Sequence, residues 1–411
     1  SSTPMNSHAL SSSIASTQYV PNIRYVDAGG GAVYVIGGSC SYSTNGTTDN
    51  YYRYPSGGGN TWWSFAYSPD GGTTLVDYSS RLTAVADTLA GGPTTNAYLY
   101  DLRVDDVLVN GTTVLIAGRY GRYSSGTYSY GIFYAVSRDS GATFTGTDVG
   151  SGTASYLMTP NRNTARFAAI GDSVVLVFRQ GPSALNQAPI VSTDNFANVA
   201  YVTTGAAYSS TKTIVSVNQN GSRFNILFSD GTSAYTAGTD PSAANWTAVA
   251  AMPSVTTLFD GGVVGTKFIA VGLNGYVATC TTAGTWVYQS TATASMSTAA
   301  LSSVAVIGTT IVFSVLAAST GSSAYYCTDA TTLPAMSTLT ADDNLTCPTL
   351  LSGVFVASGA FHFNMAEVAI VKSSTLAANS WVISQCVIPA YSSSSDGFQA
   401  ATALVKYGYT Y

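Results

Sequence analysis

One short phrase returns seven times along this 411-residue chain: a glycine, two residues, then a run of apolar and β-branched side chains. It reads "GAVYVIGG" from Gly31, "GTTVLIAG" from Gly111, "GDSVVLVF" from Gly171 and "GSRFNILF" from Gly221. It continues as "GTKFIAVG" from Gly265, "GTTIVFSV" from Gly308 and "GAFHFNMA" from Gly359. Successive anchors lie 80, 60, 50, 44, 43 and 51 residues apart. Apolar alternation precedes most anchors. A further β run follows each one and ends in a small polar turn close to an aromatic or apolar residue. Those endings are "PSGGGNTW" (55–62), "SRDSGATF" (137–144), "STDNFANV" (192–199), "GTDPSAANW" (238–246), "TTAGTW" (281–286), "CTDATTL" (327–333) and "SSTLAANSW" (373–381). Each unit thus offers four strands. Asn45-Gly46, Asn110-Gly111, Asn220-Gly221 and Asn274-Gly275 suit tight hairpins, whose turns need positive φ.

A unit of four short strands cannot bury both faces alone, so copies must stack on one another. Four-stranded units at roughly 40–50 residues read as a β-propeller. The expectation is an all-β chain of seven blades, each of four antiparallel strands, over residues 20–389. Residues 1–19 read as an N-terminal arm or anchor, and 390–411 as a strand that closes the ring by completing the first blade. Residues 67–95 exceed a normal connection and leave open an extra blade or an inserted hairpin. A parallel β-helix is the alternative, but its repeats are usually shorter.

Composition narrows the function. Only 9% of residues are charged, with 40 Gly and 28 Tyr, so hydroxyls rather than charges make the surface polar. The net charge of −5 is unevenly spread: all eleven Arg lie before residue 224, and three of the four Lys follow it. No basic tract exists, which argues against a nucleic-acid groove. No apolar run approaches the length of a membrane-spanning helix. The five Cys (40, 280, 327, 347, 386) are widely spaced without a CxxC, so neither zinc nor haem is indicated, and one or two disulfides stay open. His8 and His362 are too few and too far apart for a metal cluster. "GGGAVYVIGGS" is glycine-rich, but no helix follows it, so it is a poor phosphate loop. No cofactor is expected. The first 21 residues lack a charged segment followed by an apolar one, so no secretory signal is visible. An exterior-looking composition without an export signal fits a virus particle assembled in the cytoplasm and released by lysis.

"SRDSGATF" resembles the Asp-box, or BNR repeat, of sialidase-like propellers, with Ser137, Asp139, Gly141, Thr143 and Phe144 in the motif positions. "SPDGGTTL" is a second near match through Ser68, Asp70 and Gly72. "STDNFANV" keeps Ser192 and Asp194 but has Phe196 in place of Gly, and "PSGGGNTW" lacks the Asp. The physics of the motif is local: Asp139 bonds turn amides, Gly141 takes a left-handed backbone angle, and Phe144 packs between sheets. The resemblance implies that these turns join the third and fourth strands of each blade, away from any catalytic face.

Sialidase chemistry would further need three Arg, a Tyr nucleophile paired with Glu, and an Asp acid. A helper base is required because Tyr ionises only near pH 10. The single Glu, Glu367, falls in what reads as the short turn between the second and third strands of the last blade. "FRQGP" (178–182) departs from the family's Phe-Arg-x-Pro by one residue. These departures point away from an enzyme, and no catalytic residue is nominated. A secreted or virion-borne glycoside hydrolase is kept as the alternative.

Binding is more legible. The connections between second and third strands are tight in the later units but long and aromatic in the first two. The first carries Tyr42, Tyr51, Tyr52, Arg53 and Tyr54; the second carries Arg119, Tyr120, Arg122, Tyr123, Tyr128 and Tyr130. Tyr offers contact area at low entropic cost, and Arg adds forked hydrogen bonds. These loops either fold over the blade tops or meet a partner. The expectation is a non-enzymatic virion propeller of a phage tail or capsid appendage. It would bind a neighbouring assembly protein, itself included, or a host-surface glycan.

Overall fold

A computed structural model describes residues 24–36, 40–43, 65–70, 76–91, 97–152, 165–179, 188–209, 211–255, 257–280, 284–307, 310–315, 324–330, 332–339, 344–345, 349–351, 354–361, 366–373 and 382–390. Among them the strands form seven antiparallel sheets, numbered here in chain order. Sheet I joins Arg24–Gly29, Ala32–Ile36, Phe65–Ser68 and Val76–Asp77. Sheet II joins Cys40–Ser43, Ala97–Asn110, Thr113–Ser124, Thr127–Ser137 and Thr145–Gly152. Sheet III joins Ala165–Ile170, Ser173–Phe178, Ile190–Ser192 and Ala200–Tyr201. Sheet IV joins Ile214–Gln219, Phe224–Phe228, Ser233–Thr236 and Trp246–Val249. Sheet V joins Leu258–Val264, Lys267–Gly272, Val277–Cys280 and Trp286–Tyr288. Sheet VI joins Leu301–Ile307, Thr310–Val315, Ala324–Cys327 and Ser337–Leu339. Sheet VII joins Asn344–Leu345, Val354–Phe361, Ala366–Ser373 and Val382–Ala390, with Thr349–Leu351 also paired to its second strand.

In sheets II to V the anchoring glycine makes the hairpin it closes possible. Gly111, Gly171, Gly221 and Gly265 all turn between the two strands that flank them at positive φ, where a side chain would strain the backbone. In sheet V the hairpin closing the second and third strands uses Asn274 and Gly275, both left-handed.

The sheets fall into two compact units, one holding I, II and VII and the other holding III to VI. In the second unit the first strands of successive sheets are neighbours, and an apolar layer fills each gap. Alternation feeds both faces: Phe268 and Ala270 of sheet V face the layer shared with sheet IV, while Ile269 and Val271 face the layer shared with sheet VI. Strands buried on both faces explain the continuous apolar runs after each glycine. In the first unit a single core joins sheets I and II with a short helix, α1 (Thr83–Ala90).

Several expectations need correction. Residues 67–95 form neither an extra blade nor an inserted hairpin among their described positions; Tyr67 and Val76 pair within sheet I itself. The stretch holds the third–fourth turn of sheet I, a 3-10 turn (Ser79–Leu82) and α1. Leu82, Val85, Ala86, Leu89 and Ala90 are buried at helical spacing. Gly146 lets α1 approach sheet II, since a Cβ there would lie 2.8 Å from Val85 Cγ1. The first sheet therefore ends with "SPDGGTTL" rather than with residues 55–62, which lie outside the described residues. Gly359 is not a turn glycine: it lies within the strand Val354–Phe361. Glu367 belongs to the strand Ala366–Ser373, opposite Phe361, and not to a turn. The proposed arm (1–19) lies outside the described residues, as does the proposed closing strand (390–411) beyond Ala390.

Candidate functional site

The aromatic stretch of the second repeat is a hairpin, not a loop. Thr113–Ser124 and Thr127–Ser137 pair over their whole length and turn at Ser125-Gly126, both at positive φ. Register assigns the faces. Tyr123 lies opposite Tyr128, and Tyr130 lies between Gly121 on one side and Gly152 on the other, so these three Tyr share a face. Tyr123 and Tyr128 meet edge to face at 4.9 Å. Tyr128 is 55% exposed, whereas Tyr123 and Tyr130 are half-buried.

Arg122 points to the other face. Its Nη1 donates to the Leu89 carbonyl of α1 at 3.3 Å, and its Nε to Ser129 Oγ at 3.2 Å. Arg119 and Tyr120 lie deeper and are buried. Arg119 pairs with Asp105 at 3.1 Å. The Tyr120 hydroxyl donates to Asp148 at 2.7 Å, and burial, reinforced by that carboxylate, raises its pKa. Tyr42 lies in the strand Cys40–Ser43, opposite Leu99, so part of the first aromatic stretch adds a strand to sheet II. Tyr51, Tyr52, Arg53 and Tyr54 lie outside the described residues.

The polar turns are built as self-contained clips. Asp139 accepts from the Ser137 hydroxyl at 2.7 Å, the Thr143 amide at 2.9 Å and the Thr143 hydroxyl at 2.7 Å. Ser137 Oγ in turn accepts the Gly141 amide at 2.8 Å. These donors hold the Asp139 carboxyl well below the usual range, Ser137 contributing most. Gly141 has φ +80°, and a Cβ there would lie 2.9 Å from the Tyr34 hydroxyl. Burial pushes that hydroxyl's pKa up to about 12. Arg81 caps the turn by donating to the Gly141 carbonyl at 2.7 Å. Phe144 packs edge-on against Phe65 of sheet I at 5.6 Å. At 192–198 Ser192 and Asp194 repeat the pattern, with Asn198 replacing Thr. Phe196 there accepts φ +66° and packs against Phe167. Ser68 donates to Asp70 at 2.8 Å, and Gly72 lies outside the described residues.

A second polar feature escaped sequence reasoning. Asp260, fully buried in the first strand of sheet V, accepts from Arg166 of sheet III at 2.8 Å and from Arg179, just past that sheet's second strand, at 2.7 Å. The bridge spans sheet IV, whose first strand buries Ser216 and Asn218. Asp106, Arg166, Ser216 and Asp260 each stand five residues before their glycine anchor. Three of them directly follow a β-bulge, between Val104 and Asp106, Ile214 and Ser216, and Leu258 and Asp260. A bulge re-aims the side chain beside it. The signal was in the sequence as one polar residue, at a fixed offset, inside otherwise apolar strands.

Comparison with known proteins bears on the fold alone. No family model matches the chain, and no curated protein sequence matches it. Among solved structures, a GH74 xyloglucanase from Xanthomonas campestris is similar over 91% of this chain, at 14% identity and a TM-score of 0.55; the chain spans 55% of that protein. YCF48 bound to a D1 peptide aligns over 84% of this chain and 95% of its own, at 12% identity and a TM-score of 0.47. An α-L-arabinofuranosidase from Fusarium graminearum aligns over 83% and 88%, at 15% identity and a TM-score of 0.40. The likeness to the xyloglucanase, with antiparallel four-stranded sheets in sequential order, makes this chain a β-propeller. Fold likeness at such identity carries no activity across. No helix among the described residues is long and apolar enough to cross a membrane.

Proposed function

We propose that this chain is a non-enzymatic binding propeller of a virion, in a phage tail or capsid appendage. Its blades close into a ring of seven, with residues 390–411 completing the first. The contact surface is the hairpin face bearing Tyr123, Tyr128 and Tyr130, with Arg122 at its flank and the Tyr51–Tyr54 stretch as a second element. The partner is a neighbouring assembly protein or a host-surface glycan. Residues 1–19 anchor the chain, and Ser137, Asp139, Gly141, Thr143, Phe144, Ser68, Asp70 and Gly72 serve structure rather than binding.

One observation carries this reading: the second sheet extends its central hairpin beyond the shared core and ends it in tyrosines, one of them more than half exposed. Tyr rings on a rigid strand pair lose little entropy on contact, and both protein surfaces and sugar rings pack on them. A glycan array and capture of assembly proteins from purified particles are the two arms of the test, each run with the parent and with Tyr123→Ala/Tyr128→Ala. Binding in either arm that the double variant lowers at least tenfold supports the proposal. No binding by the parent in either arm removes it.

A further inference from the structure

A cleft of about 350 Å³ opens between sheets IV and V of the second unit. Tyr235, Val249 and Pro253 form one wall, Gly284, Thr285 and Trp286 the other, and among the described residues no charged side chain lines it. Its size falls at the small end of ligand pockets. Trp286 is fixed there by donating from its indole to Ser233 Oγ at 3.0 Å, so the apolar wall is preformed.

The cleft runs out onto the edge strand Trp246–Val249. Register pairs Thr247 with Tyr235 and Val249 with Ser233, and the Ala237 amide donates to the Asn245 carbonyl at 3.1 Å. Hydrogen-bonded and non-hydrogen-bonded pairs alternate in an antiparallel ladder. Trp246 and Ala248 therefore direct their N–H and C=O away from the sheet. Ala248 is exposed, and no Lys, Arg, Asp, Glu or Pro guards the strand. An unguarded edge beside an uncharged cleft is built to accept an added strand.

From this geometry we propose that the cleft receives residues 1–19 of a second copy of the chain. The proposal rests on the reading of that segment as an arm. The segment contains no Asp, Glu, Lys or Arg, which matches the uncharged lining. In an extended strand Leu10 and Ile14 would fall on one side, because side chains alternate with a period of two. One of them would fill the space between Tyr235 and Trp286 while the backbone pairs with Trp246 and Ala248. Twenty-three residues precede the first described strand and span up to about 80 Å when extended, enough to reach a neighbouring molecule.

Sedimentation equilibrium of the full chain tests this directly. The parent self-associates, and excess synthetic peptide of residues 1–19 dissociates it. Ala248→Pro removes the outward N–H without touching the sheet's own ladder, a change that edge strands tolerate. It weakens association at least tenfold, as does Leu10→Asp. Association lost in Leu10→Asp but unchanged in Ala248→Pro overturns the cleft and leaves the arm standing. Association unchanged in both, or a parent that stays monomeric, overturns the proposal entirely. None of these outcomes depends on the tyrosine face.

Discussion

Sheets II and IV start from the same plan and end differently. In sheet IV the second and third strands have 5 and 4 residues, and Gly231 closes the hairpin at φ +83°. In sheet II the corresponding hairpin strands, Thr113–Ser124 and Thr127–Ser137, have 12 and 11 residues. The halves nearest the glycine anchor are alike in being buried throughout: Val114 and Ile116 lie in the core shared with sheet I, and Phe224–Phe228 lie under layers shared with sheets III and V. The surplus in sheet II is what differs. It rises past that cover, gains α1 on one face and carries tyrosines on the other. Residues that the shared core does not require are those available for contact with another molecule.

If the core is shared, its disruption must cost far more than any change at the hairpin tip. The largest effect is expected at Asp260. Asp260→Ala leaves two buried guanidinium groups without their carboxylate and costs about 3–5 kcal/mol, measured by urea unfolding. A loss under about 1 kcal/mol would show that the bridge across sheet IV does little. Next comes the clip: Gly141→Ala, at a left-handed backbone angle and against the Tyr34 hydroxyl, costs about 1–2 kcal/mol.

A smaller contribution depends on pH. The Asp194 carboxyl is held at about 2 by the Asn198 amide and side chain and by Ser192, below the unfolded value near 3.9. Its stabilisation is complete above the unfolded pKa and disappears as pH falls from about 4 through 2. Unfolding of the parent followed across that window should lose stability more steeply than Asp194→Asn does; identical slopes would contradict the clip. The smallest effect is at the tip, where Tyr128→Ala should change stability by no more than about 0.5 kcal/mol. A change above 1 kcal/mol would make Tyr128 part of the fold and erase the contrast between the two sheets.

The repeat was legible because two physical requirements write themselves into sequence. Turns need glycine at Gly111, Gly171, Gly221 and Gly265, and strands covered on both faces need unbroken apolar runs. The polar clip at 137–144 was legible because its hydrogen bonds are local. Legibility failed where partners are distant in the chain or where two periods overlap. The apolar residues from Leu82, just before α1, to Ala90 at its end do repeat with helical spacing, but the surrounding strand pattern masked them. Gly359 imitates an anchor inside a strand. The tyrosine stretch read as a loop because Gly and Ser punctuate it, although Gly131 simply makes room within a sheet: a Cβ there would strike the Tyr120 ring at 2.4 Å. The bridge from Arg166 and Arg179 to Asp260 joins residues 94 and 81 positions apart, so the fixed offset before the anchor marks Arg166 and Asp260 as unusual without pairing them.

The tip of sheet II and the tip of sheet IV can be compared in one measurement. A photo-crosslinking residue placed at Tyr128, and separately at Asp230 beside the tight turn of sheet IV, would be irradiated with purified particles and with glycan-bearing host surface. Crosslinks from position 128, with background levels from position 230, are the predicted result. Equal yields from both positions would contradict the claim that binding belongs to the extended hairpin.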